Sequence, residues 1–159
     1  SRLSGSYHQP LVSVGGAPWT LLPVPAGAMS TFPTDVNDSG VIVGVSYSTQ
    51  WVPSAVRWKN PGGGYVVEAL PRLPGDAASY ATNINNLGQI VGARNALGYV
   101  PTGTGWVYSD AGGLVDIYAR YGWVVAPSAL NDNGLVIGGA ERLDLATGVV
   151  EWIGDGPTN

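Results

Sequence analysis

Apolar residues along this chain come in short runs with an alternating lead-in, and each run stops at a glycine. "SYATNIN" (79–85) alternates towards a polar turn, and "QIVG" (89–92) follows as a β-rich run. "DVNDSGVIVG" (35–44) and "ALNDNGLVIG" (129–138) repeat the arrangement without gaps. No stretch keeps a 3.6-residue apolar period, because Pro and Gly interrupt every candidate. The pattern predicts strands only. "NNLG", "NDSG" and "NDNG" predict tight turns in which Asn bonds its own backbone and Gly takes positive φ.

The spacing makes this a repeat. Asn37, Asn85 and Asn131 stand 48 and then 46 residues apart. Connectors ending at Gly27, Gly75 and Gly122 precede them by 10, 10 and 9 residues. A hairpin, "AVRWKNPGGGYVVEAL" (55–70), matches "GWVYSDAGGLVDIY" (105–118) and, more loosely, "QPLVSVGGAPWTLL" (9–22). Four short strands in roughly 45 residues is the size of one propeller blade. The expected fold is therefore all-β, a β-propeller-type array of four-stranded antiparallel blades with about three and a half repeats. Its divisions are a half unit over 1–27 and units over about 28–75, 76–122 and 123–159. The glycine closing each "IVG" run is expected to let neighbouring backbone approach.

On these residues the chain resembles the HAF family of bacterial extracellular repeats. Leu73, Gly75, Ala81, Ile84, Asn85, Gly88, Ile90, Val91 and Gly92 match that family's connector and strand pair. "AVRW" (55–58) stands where its aromatic strand would be, and "HQPLV" (8–12) is a degraded version. The third copy, "YARYGWVVAPSALNDNG", keeps the turn and loses the connector's Leu and Pro. The resemblance implies an extracellular propeller-like protein and implies no activity, since a repeat and not a site defines the family.

Composition narrows the function classes. Charged residues are only 11% of 159, and the net charge is −4. No basic patch is available for nucleic acid. No apolar run approaches 18 residues, so no membrane insertion is expected. Zero Cys excludes disulfides and thiolate metal sites, and one His leaves no second imidazole, so no transition metal or cofactor is expected. Low charge with abundant Gly, Thr, Ser and Tyr points to an exported or surface-exposed protein, although no signal-peptide pattern opens the chain.

Candidate chemistry is sparse. "DVNDSG" resembles the start of a calcium loop, but no distant acid follows and the leading Asp becomes Ala129 in the third copy, so an Asx turn is expected. His8 has no Gly-x-Ser-x-Gly elbow to serve and reads as a strand or surface residue. Paired acids could hydrolyse a glycoside, and Glu141, Asp144 and Glu151 cluster near the C-terminal end. Trp58, Trp106 and Trp152 lie in repeat strands and are expected to pack between blades. Trp51 and Trp123 fall off the repeat pattern, Trp123 beside Tyr118 and Tyr121, so Trp51, Trp123 and Tyr121 are the candidate ligand-binding residues.

The expected function is a non-catalytic extracellular or surface-displayed binding or structural module. The alternatives are a lectin using loop aromatics, a subunit of a larger surface or virion assembly, and a glycoside hydrolase. The half unit raises a question of closure, because open blades expose strand edges. The chain is a fragment, a small propeller, or an array closed by oligomerisation. Self-association or a protein partner is expected through an orphan hairpin, either residues 9–22 or "RLDLATGVVEW" (142–152), which compete for one place.

Overall fold

The computed structural model describes residues 9–96 and 104–154. His8 lies outside the described residues. The fold is all-β, with four antiparallel sheets. A two-stranded sheet pairs β1 (Leu11–Val12) with β2 (Thr20–Leu21). Sheet 1 is a meander of β3 (Ala28–Val36), β4 (Ile42–Ser48), β5 (Pro53–Lys59) and β6 (Val66–Ala69). Sheet 2 repeats it with β7 (Asp76–Ile84), β8 (Ile90–Ala96), β9 (Gly105–Ser109) and β10 (Gly113–Asp116). Sheet 3 contains β11 (Ala129–Leu130), β12 (Leu135–Gly138), β13 (Glu141–Asp144) and β14 (Val150–Trp152).

Three apolar layers join these sheets in chain order. Leu22 of the hairpin meets Ile42, Val56 and Trp58 of sheet 1. Val43, Ala55 and Leu70 of sheet 1 meet Ala81, Ile84, Ile90 and Trp106 of sheet 2. Val91, Val107 and Ile117 then meet Trp123, Val136 and Leu143. Period-2 alternation explains the apolar runs: Ile42 and Val43 face opposite layers, as do Ile90 and Val91. Sheet 2 is covered on both faces, whereas sheet 1 is covered by sheet 2 on one face and only in part by the hairpin on the other, where Val36 stays exposed. Sheet 3 buries Val136 and leaves Ile137 exposed. Trp58 and Trp106 are buried in the layers, as their repeat positions predict. Trp152 is 63% exposed, against expectation, because among the described residues no further sheet covers that face.

One element departs from the strand-only reading. A short helix, α1 (Ile117–Tyr121), replaces the third connector. Asp116 caps it by accepting from the Ala119 N–H, and Gly122 ends it in the left-handed region at φ 70. With one turn only, the segment shows no 3.6-residue pattern to read.

The "IVG" glycines do admit close backbone. A Cβ at Gly92 would lie 2.1 Å from the Tyr80 carbonyl and 2.2 Å from the Trp106 ring. At this level β7 slips register between Ala81 and Asn83, and β3 slips equivalently between Pro33 and Asp35. These bulges leave Thr34 and Thr82 outside the ladder. Each turns its hydroxyl towards the following sheet: Thr34 Oγ1 donates to Ala81 O at 2.9 Å, and Thr82 Oγ1 to Pro127 O at 3.4 Å.

Candidate functional site

The repeated turns are structural. Gly40, Gly88 and Gly134 have φ of 75, 76 and 76. Asn85 Oδ1 accepts from the Leu87 and Gln89 N–H groups, at 3.1 and 2.9 Å. Asn131 Oδ1 does the same for Asn133 and Leu135. The amides then connect turn to turn: Asn37 Nδ2 donates to Asn85 O at 3.1 Å, and Asn85 Nδ2 to Asn131 O at 2.9 Å. Asp38 and Asp132 are engaged with Asn86 between them. The asparagine and acid oxygens thus bond protein groups, which is the Asx-turn reading.

The off-pattern aromatics part company. Trp123 is only 2% exposed, packs between sheets 2 and 3, and donates from Nε1 to Glu141 Oε2 at 2.6 Å. It is a core residue and not a ligand site. Removal of the Cβ at Gly138 makes room for its ring, since a Cβ there would lie 2.9 Å from Cη2. Tyr121 is half-buried against the same cluster, and its hydroxyl donates to Leu145 O at 3.1 Å, so it serves the same packing.

Trp51 is the opposite case. It is 64% exposed and has φ 60, the one positive φ of a non-glycine among the described residues. The turn that holds it copies the Asn turn. Ser48 N donates to Val52 O, and Trp51 N to Ser48 O, as Asn85 N does to Gln89 O and Gly88 N to Asn85 O. Ser48 Oγ accepts from the Gln50 and Val52 N–H groups, the bonds Asn85 Oδ1 accepts. Trp51 therefore occupies the glycine position of this turn. A left-handed conformation there costs about 1–2 kcal/mol for a residue with a Cβ.

Its indole stands next to other rings. The Tyr47 centroid is 6.1 Å from that of Trp51, and Phe32 meets Tyr47 edge-on at 5.9 Å. Burial, with Tyr47 alongside, pushes the Tyr80 hydroxyl pKa up. Phe32, Tyr47 and Trp51 form an exposed aromatic surface at the end of sheet 1 away from the Asn turns.

The carboxylates are committed elsewhere. Arg57 is buried and pairs with Glu68 of its own sheet and Asp110 of sheet 2, with the Tyr108 ring 5.3 Å away. Arg94, half-buried with its side chain only 7% exposed, pairs with Asp76 and Asp116. Burial alone would raise the Glu68 pKa, but hydrogen bonds from Lys59 and Arg57 outweigh it and lower it. The Arg57 hydrogen bond lowers Asp110. A general acid needs the reverse shift. Glu141 is used by Trp123, and Glu151 by Arg142. Among the described residues no three His, Cys, Asp or Glu side chains converge as a metal site, and no helix is long and apolar enough to cross a membrane.

Sequence reasoning missed both arginine hubs. Their signal is an Arg placed within an otherwise apolar strand, "AVRW" and "IVGAR". No family model, curated protein or solved structure matches the chain.

Proposed function

We propose that this chain is a non-catalytic, surface-displayed or exported binding module, a propeller-type array of HAF-like blades that recognises carbohydrate through Phe32, Tyr47 and Trp51. One observation carries the reading: an exposed Trp is kept at a glycine position, where it is strained. Glycine would relieve that strain, so the indole is retained for what it contacts outside the chain. A ring face of this kind stacks on the apolar face of a sugar ring. Supporting the array is the threefold unit of four strands stacked in order, with bulge, Asn turn and closing glycine repeated. Hydrolysis is not proposed, because Glu68, Asp110, Asp76 and Asp116 are each held by Arg57 or Arg94.

A glycan array probed with the wild-type chain and with Trp51→Gly tests this. The variant is expected to be more stable to denaturant by about 1 kcal/mol and to lose at least about tenfold in glycan affinity. A wild-type chain that retains no glycan, or a Trp51→Gly chain that binds as well as wild type, would sink the proposal.

A further inference from the structure

At three repeated positions the bonds between sheets run one way, while Ile84 N and Asn86 Nδ2 donate back to Asp35 and Asp38. Across the interface from sheet 1 to sheet 2, Thr34 Oγ1 donates to Ala81 O, Asn37 Nδ2 to Asn85 O, and Asp38 N to Asn86 Oδ1. Across the next, Thr82 Oγ1 donates to Pro127 O, Asn85 Nδ2 to Asn131 O, and Asn86 N to Asp132 Oδ1. Each sheet therefore donates to the one after it at the same three positions. In sheet 1 the matching acceptor positions belong to Pro33, Asn37 and Asp38, and among the described residues no Asn-turn strand pair precedes them.

All three line one groove of about 560 Å³. Its apolar lining includes Leu11, Leu22 and Ile42. Its far side is the β1–β2 hairpin, which stands where the third and fourth strands of a sheet stand. Leu22 N donates to Pro10 O at 2.8 Å just as Leu70 N donates to Ala55 O at 2.9 Å. The hairpin's buried Leu22 faces sheet 1 as Leu70 faces sheet 2. Thr31 Oγ1 agrees with this placement. It is buried without a partner, whereas Ser79, its counterpart, accepts from Ala55 N at 3.0 Å. Pro10 holds the place of Ala55 and has no N–H to give.

Among the described residues, β1 and β2 thus stand as third and fourth strands with no first and second strands beside them. The β1 register directs Pro10 and Val12 towards β2, so the Leu11 N–H and C=O face the open edge, as those of Val56 face β4. We propose that this groove docks an Asn-turn strand pair of a partner chain: two antiparallel strands joined by Asn-x-x-Gly, whose second strand has a free edge. Its hydroxyl, Asn amide and turn N–H would bond Pro33 O, Asn37 O and Asp38, and its free edge would pair with β1. A second copy of this chain does not supply such an occupant. Its exposed donors, Ser128 and Asn131, belong to sheet 3, whose β13 and β14 fill the place that β1 and β2 hold here.

The probe is a synthetic peptide of residues 76–96, the β7–β8 strand pair, titrated calorimetrically into the whole chain, with hydrogen exchange read over residues 9–22 and 33–41. A backbone-cyclised version removes the folding penalty of an isolated hairpin. Binding with added protection in both segments is expected. A peptide carrying Thr82→Val and Asn85→Ala is expected to bind at least about tenfold more weakly. Leu11→Pro in the chain blocks the open edge without touching a β1–β2 bond and is expected to weaken binding similarly, while Trp51→Gly leaves it unchanged. The proposal is overturned by no binding of either peptide at about 1 mM, by equal binding of the altered peptide, by an unaffected Leu11→Pro chain, or by a dimer of the chain alone that protects the same groove.

Discussion

Asn85 uses the whole hydrogen-bonding capacity of its side chain. Its oxygen accepts two turn N–H groups, and its amide donates to Asn131 O and to Gln89 Oε1. It is 3% exposed. Asn131, at the end of the stack, caps its own turn equally but is exposed and donates to no further turn. The two substitutions to Ala therefore separate the turn from the ladder. Asn131→Ala should cost the cap alone, about 1 kcal/mol, and Asn85→Ala should cost about 2–3 kcal/mol, because it also empties a buried site and removes the amide's bonds to Asn131 O and Gln89 Oε1. Urea midpoints of the two variants measure the difference; equal losses would mean that the ladder contributes nothing. The turn itself was legible, because Asn, Gly and their spacing act locally. The ladder was not, since it depends on which turns lie side by side. Trp51 and Trp123 show the same limit. Both are off-pattern in sequence, yet one is strained in solvent and the other lies under a helical connector that no periodicity announced.

Between elements, Arg57 is the polar link through the first apolar interface. It joins β5 to β6 by Glu68 and sheet 1 to sheet 2 by Asp110. Both carboxylates have folded-state pKa values below their ordinary values of 4.5 and 3.8. The unfolded chain therefore binds protons first as pH falls, and the stabilisation present above those values is lost as pH drops through the lowered ones. Denaturant stability should be flat from neutral pH to about 5 and fall below about 4. Arg57→Leu should make that acid limb shallower, because Glu68 and Asp110 then titrate closer to their unfolded values. An acid limb of unchanged steepness would show that other carboxylates govern it. Strand type, strand order and the close-approach glycines were readable from alternation and from the "IVG" endings. The arginine hubs escaped because an Arg within an apolar strand marks only a buried charge, and its partners, 11 and 53 residues away for Arg57, are named only once the fold brings them beside it.

At the scale of the molecule, stability should be graded along the stack. In a repeat array each unit is stabilised by its own folding and by contact with its neighbours. Sheet 2 has apolar layers on both faces, and its turn is bonded on both sides. Sheet 3 has one layer. The β1–β2 hairpin has one layer, two residues per strand and an unpaired edge. Each fully buried Val, Leu or Ile is worth about 1.5–3 kcal/mol, so the second layer of sheet 2 outweighs any difference in turn chemistry. Native-state hydrogen exchange should find β7 and β8 slowest, β12 and β13 intermediate, and β1 and β2 fastest. The span from slowest to fastest should be at least about 100-fold, close to 3 kcal/mol of local stability. Uniform protection across the three four-stranded sheets would point instead to one cooperative unit, in which the ends are as tightly held as the middle. The gradient also bears on the groove. A strand pair docked beside β1 would give the hairpin its missing edge and sheet 1 a complete second layer, so added peptide should slow exchange most where the free chain exchanges fastest.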